Sequence, residues 1–161
     1  MATAPLIVAP EDPLGADLGL LFQRHHDHCH ADTPPGSNHM LDRAALRDPS
    51  ITFLVARDGD RPVGMGALKD HGAGLGELKS MHVLAEARGR GAAGLILSAL
   101  IDAARRAGLS DLSLETGAQD SFTPARRFYA AAGFQTCPPF ASYRPDPLSA
   151  FMTLRLDDHA P

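Results

Sequence analysis

The sequence predicts a mixed α/β (α+β) fold: a mostly antiparallel central sheet of about seven strands flanked by about four helices, in the order βα(α)βββαβαββ. Three observations carry that prediction. Apolar residues recur at helical spacing before residue 50 and again from residue 92, the period shortens to that of strands between residues 51 and 84, and no stretch has the composition of a linker. At 161 residues, 44% of them hydrophobic, the chain suits one domain over residues 1–161 with a sizeable core.

"APLIVAP" (residues 4–10) reads as a first strand bounded by prolines. "DPLGADLGLLFQRHHDHCHA" (12–31) reads as a helix with Asp12 as its cap and Pro13 in its first position, and Leu14, Leu18, Leu21, Phe22 and His25 share one face. The Pro, Gly and Asn of "DTPPGSNHML" make a loop, after which Asp42 can cap a short helix, "RAALRD", closed by Pro49. "ITFLVARD", "RPVGMGALKD" and "GLGELKSMHVL" are β-rich runs joined by "GD" and "HGAGLG", an antiparallel meander. Regular alternation in the third run puts Glu77, Lys79, Met81 and Val83 on one face and Leu78, Ser80 and His82 on the other. A helix follows with Ala92, Leu95, Ile96, Ala99, Leu100 and Ala103 on one face and Arg105, Arg106 and Gly108 at its end. "DLSLET" reads as a buried strand, and "TPARRFYAAAG" as a helix capped by Thr123, with Pro124 first and Gly133 last. "FQTC" and "SAFMTLRL" supply two final strands.

The formal charge of −4 speaks against a surface built for nucleic acid, which needs a basic face. The longest useful apolar run is far shorter than the ~18 residues of a membrane helix, and no basic-then-apolar leader opens the chain, so a cytoplasmic protein without membrane contact is expected. Cys29 and Cys137 stand far apart and are expected as reduced thiols. His26 and His30 are spaced i, i+4 with Cys29 adjacent, but the neighbouring histidines point around the helix and no second ligand cluster occurs, so no metal is expected.

"LAEARGRGAAGLILSAL" (84–100) sets glycines and arginines at the start of a helix. A P-loop would need a Gly followed by Lys and Ser or Thr, which is missing. Gly89, Gly91 and Gly94 spell GxGxxG, but a dinucleotide fold leads into it from a buried parallel strand, and here an antiparallel meander does. What remains is a turn rich in backbone N–H groups at the positive end of a helix, which favours a diphosphate.

Arg88-Gly89-Arg90-Gly91-Ala92-Ala93 resembles the Arg/Gln-x-x-Gly-x-Gly/Ala signature of the GNAT superfamily of acyl-CoA-dependent N-acetyltransferases. "MHVLAEARGRGAAG" is similar to that family's strand, turn and pyrophosphate loop, and "RRFYAAAGF" to its later tyrosine-bearing helix; together the likeness covers roughly residues 51–137. "ELKSM", "LETG" and "PFASYRPDPLSAFMTL" resemble a branch of small bacterial members labelled auxin or indole-acetate acetyltransferases.

The resemblance implies a GNAT fold with acetyl-CoA as cosubstrate in a V between the fourth and fifth strands. The backbone of Met81, His82 and Val83 would then run along pantetheine, with an amide aimed at the acetyl carbonyl, where a preorganised donor contributes ~2.7 to 4 kcal/mol. The amides of Gly89, Arg90, Gly91, Ala92, Ala93 and Gly94 would hold the pyrophosphate, with Arg88 and Arg90 as candidates for further phosphate contacts. Tyr129 matches the family tyrosine near the sulfur and is the candidate acid; Glu77 is the candidate base, with His82 and Glu115 open as alternatives. His26, His30, "PPGSNHM" and Tyr143 are expected to touch the acceptor. The implied activity is N-acetyl transfer to a small-molecule amine by direct attack; an acyl-CoA-binding sensor without turnover and a protein-directed acetyltransferase stay open. Edge strands near the C-terminus are compatible with a homodimer.

Overall fold

The computed structural model describes residues 4–34 and 42–156. The segment "PPGSNHM" therefore lies, from its second proline onward, outside the described residues.

Seven strands, β1 (Ile7–Pro10), β2 (Ile51–Asp58), β3 (Arg61–Asp70), β4 (Leu75–Val83), β5 (Asp111–Gly117), β6 (Gln135–Thr136) and β7 (Ser149–Arg155), form one sheet. Their order is β1-β2-β3-β4-β5-β7-β6, and every neighbouring pair is antiparallel except β4 and β5. The α-helices among the described residues are α1 (Gly19–Ala31), α2 (Ala92–Arg106) and α3 (Thr123–Ala131). The short extra helix expected after Asp42 is instead a 3-10 stretch, Arg43–Arg47, because its closing bond runs from the Asp48 amide to the Ala45 carbonyl three residues back.

Three expectations about helix ends and faces need correction. Asp12 does not cap α1: its carboxylate accepts the Leu14 amide at 3.0 Å and pairs with Arg47, and a 3-10 turn at Ala16–Leu18 intervenes before the helix starts at Gly19. Such Asx turns compete with the first helical turn, and Pro13 and Gly15 help them do so. Thr123 is the first residue of α3 rather than its cap, and its hydroxyl accepts from Arg126. The inner face of α2 carries Ala92, Ile96, Ala99, Leu100 and Ala103 as expected, with Leu97 and Ala104 beside them, while Leu95 is 45% exposed.

β3 runs through the middle of the core, buried continuously from Val63 to Leu68. Its Gly66 lets α2 lie on the strand backbone: a β-carbon there would sit 2.5 Å from Met81 Sδ and 2.8 Å from Ile96 Cγ2. Met81 and Val83 thus face α2, and α1 packs on the opposite side of the sheet, where His82 meets its histidines.

Candidate active site

β4 and β5 pair only through Leu75–Leu78 and Asp111–Leu114, so residues 79–83 and 115–117 diverge. On its other edge β4 carries a bulge: Met65 pairs with His82 and Ala67 with Lys79, leaving Ser80 and Met81 opposite the single residue Gly66. Ser80 adopts φ 57°, a strained conformation for a non-glycine residue. The bulge overturns the regular alternation expected for this strand. Glu77 and Lys79 share a side with His82, whereas Met81 and Val83 turn to α2. Backbone of Met81, His82 and Val83, the stretch expected along pantetheine, is free of β5 and presents its open edge to the gap.

Beyond β4, a 3-10 turn at Ala85–Ala87 leads into the glycine loop. Gly89 and Gly91 sit at φ 86° and 79°, which only glycine adopts readily, and Gly91 caps α2 with no side-chain hydrogen bond, leaving the first amides of the helix to a ligand. A β-carbon on Gly89, Gly91 or Gly94 would meet nothing within 4 Å, so the loop is open to a bulky anion. Arg88 is exposed and makes no ion pair among the described residues, so it can reach a phosphate. Arg90, expected to do likewise, is instead bound to Asp58 and to the Ala4 carbonyl and pins the β2–β3 turn. These residues fit a ligand with a diphosphate and an extended amide arm.

Where β4 and β5 part, a cavity of about 150 Å³ opens, walled by α1, both strands, α3 and the loop carrying Tyr143. Glu77, only 2% exposed, forms its polar floor. His71 Nε2 lies 2.7 Å from Oε1, while Lys79 Nζ and the Tyr143 hydroxyl donate to Oε2 at 2.9 and 2.6 Å. Lys79 also donates to the Tyr143 oxygen at 2.9 Å. Burial alone would raise the Glu77 carboxyl, but Lys79, Tyr143 and His71 outweigh it and hold it below the usual range. With three partners on its two oxygens this carboxylate is placed to position neighbouring groups, and the base role expected for Glu77 would require one of those partners to give way.

Tyr129 lines the cavity, 7% exposed, and its hydroxyl has no hydrogen-bond partner among the described residues. Burial pushes that phenol well up, so it stays protonated. Tyr143 lines the same cavity, as expected of an acceptor contact. His26 and His30 do not: they stack on each other at 3.9 Å on the exposed side of α1. Its cavity face carries His25, His28 and Cys29, which continue the Leu18 and Leu21 spacing by one turn. Glu115 lines the cavity from β5 with one oxygen accepting from Ser149. Burial, with His82, His28 and His26, pushes His25 down to about 3; burial, with His28, Arg88 and Arg24, pushes His82 down to about 4. Burial and Glu115 raise the Cys29 thiol to about 11, so it is no nucleophile at neutral pH. No group of three or more metal-ligating side chains occurs among the described residues.

A parted pair of parallel strands, a bulged fourth strand and a capless glycine loop define the class of acyl-CoA-dependent acyltransferases. The chain belongs to the acetyltransferase (GNAT) family, whose model matches residues 18–134. It is an acyltransferase that uses acetyl-CoA, in keeping with that family. It is 46% identical to the uncharacterized N-acetyltransferase YsnE of Bacillus subtilis over 81% of this chain and 89% of that protein. It is 41% identical to an IAA acetyltransferase of Azospirillum brasilense over 90% of this chain and 94% of the other. Its fold is similar to that of the PaiA N-acetyltransferase of Thermoplasma acidophilum in complex with coenzyme A, with a TM-score of 0.73 over 94% of this chain and 99% of that one, at 16% identity. No helix among the described residues is long and apolar enough to cross a membrane.

Proposed function

We propose that this chain, acting as one domain, transfers the acetyl group of acetyl-CoA directly to the amine of a small molecule held in the cavity beside Glu77 and Tyr143. The observation that carries this reading is the placement of that cavity: it opens where β4 and β5 part, on the strand whose far end leads into the glycine loop. Acetyl-CoA supplies the activated acetyl group. The loop amides from Gly89 through Gly94, with Arg88, would hold its phosphates, and the open edge of residues 81–83 would hold its amide arm. An amide freed by the Ser80 bulge is suited to bind the carbonyl oxygen as it gains charge. Tyr129, whose hydroxyl has no hydrogen-bond partner among the described residues, lines the cavity and would give its proton to the departing thiolate as that charge develops. Glu77, with Lys79, Tyr143 and His71, sets the shape and charge of the acceptor side as a positioning group. Phe122, Tyr129 and Tyr143 offer ring faces to an acceptor, and the name of the Azospirillum relative puts indole compounds on the list to be tried.

The test is thiol release from acetyl-CoA by the purified protein, with a panel of small amines, indole compounds and lysine peptides, alongside thermal shift with acetyl-CoA and dephospho-CoA. The reading expects a donor-dependent rise in melting point and thiol release with at least one small amine. Binding without release from any acceptor would identify a sensor, release with peptides alone would identify a protein-directed enzyme, and no binding would overturn the donor site.

A further inference from the structure

An ammonium acceptor must lose a proton before its nitrogen can attack, and the cavity offers few places to put it. Glu77 is claimed by three donors. Cys29 is held as a thiol, and its sulfur lies 3.8 Å from Nδ1 of His25, whose ring lies 5.4 Å from that of His82 in the wall behind. His28 differs from these. It lines the cavity, its ring rests on Phe122 at 4.8 Å, and neither ring nitrogen has a hydrogen-bond partner among the described residues. Tilted contacts with Phe122 and, at 6.4 Å, with His82 hold the imidazole at the cavity wall.

From this geometry we infer that His28 is the catalytic base of acetyl transfer, accepting the proton of the acceptor's ammonium. The inference rests on the transfer reading above. The acceptor N–H bond breaks and its proton passes to a ring nitrogen of His28. The freed electron pair forms the new N–C bond, the C–S bond breaks, and the thiolate takes the proton of Tyr129. As the amide forms its nitrogen sheds a second proton, which restores Tyr129 by way of solvent, and the imidazolium returns the first proton to solvent. The titratable and charged groups that share the cavity with His28 are His25 and Cys29 on α1, Glu77 and Lys79 on β4, Glu115 on β5, Tyr129 on α3 and Tyr143 in its loop, with the His82 ring 6.4 Å away on β4. Of these, Glu77 is matched by Lys79, and Glu115 brings further negative charge to the cavity where the imidazolium forms.

The experiment measures kcat/KM for an accepted amine from pH 5.5 to 9.5 in the wild type and in His28→Gln, Glu115→Gln and Glu77→Gln, with acetyl-CoA affinity measured in parallel. For His28→Gln the expected result is a fall of roughly 100-fold or more, loss of the acid-side limb, and donor affinity within about two-fold of wild type. Should His28→Gln fold poorly, His28→Ala supplies the second arm: added imidazole should restore its turnover at least ~10-fold, the mark of a missing base rather than a missing wall. A His28→Gln protein that keeps both rate and limb overturns the assignment, as does an acid limb that vanishes in Glu115→Gln or Glu77→Gln instead. A wild type that releases no thiol overturns the transfer reading, and His28 with it; a wild type that turns over while His28→Gln matches it removes His28 alone.

Discussion

Acidification from pH 7.5 to 5.0 should weaken this fold before its carboxylates begin to titrate. His25 and His82 are held neutral by burial and by their cationic or imidazole neighbours, at about 3 and about 4 respectively, against about 6.5 in an unfolded chain. Between those values the unfolded state binds more protons than the folded one, so stability rises with pH and is lost as pH falls below about 6.5. pH 5 lies about 1.5 units below the unfolded value of each ring and still above its folded value, which at 1.36 kcal/mol per unit corresponds to about 2 kcal/mol per fully buried imidazole. Because His82 is only partly buried and its share is screened by solvent, the pair should contribute about 2 to 4 kcal/mol. Asp12, Asp17, Asp48, Glu77 and Glu86 all have carboxyls held below their ordinary range, so their contributions are lost mainly below about pH 4.5 and leave most of this window to the histidines. Urea unfolding followed by circular dichroism at both pH values, at matched ionic strength, measures the loss. The His25→Asn/His82→Asn double variant should show a much smaller one. Equal stability at pH 7.5 and 5.0, or an undiminished loss in the double variant, would refute the reasoning.

Other perturbations test the remaining parts of the site. Tyr143→Phe deletes a hydroxyl that bonds both Glu77 and Lys79, and should cost roughly 1.5 to 3 kcal/mol in urea unfolding, as hydrogen bonds to charged groups do; a cost under ~0.5 kcal/mol would show the network to be slack. Gly66→Ala puts a β-carbon against Met81, Ile96 and Leu100 and should destabilise by roughly 1 to 3 kcal/mol, with an unchanged melting curve counting against the packing described. Arg88→Ala should weaken acetyl-CoA binding several-fold in a calorimetric titration, whereas Arg90→Ala, which severs the Asp58 pair, should lower stability and leave affinity nearly unchanged. The opposite ranking would return Arg90 to the phosphates.

The order of elements was legible because hydrophobic period changes cleanly at residues 51 and 92, and the glycine loop because Gly89 and Gly91 occupy conformations that other residues avoid. The bulge was not. Ser80 takes a left-handed conformation without being glycine, so nothing in "ELKSMHV" announces that the alternation slips there. That slip separates Met81 and Val83 from Glu77 and Lys79 and hides the cavity's composition from any period-two reading. The helix histidines were recoverable: extending the Leu18, Leu21 and His25 face by three and four residues arrives at His28 and Cys29 rather than His26 and His30. The surroundings of Arg90 and Glu77 were hidden for a different reason. Their partners, Asp58, His71 and Tyr143, lie 32, 6 and 66 residues away, and residue type alone does not reveal such pairings.

The parted strands also bear on how the protein would be watched at work. The β4–β5 seam is stitched by four residue pairs, against seven between β5 and β7, so folding ends with the sheet's central seam half closed. A ligand with amides along its length can finish what the chain leaves undone, in effect lending the sheet a temporary strand. Occupancy would then be written into the backbone itself: the amides of residues 79–83 that point into the gap should exchange with solvent in the empty protein and slow when the donor is bound. A deuterium label would therefore report filling of the site even for a variant that has lost every trace of chemistry.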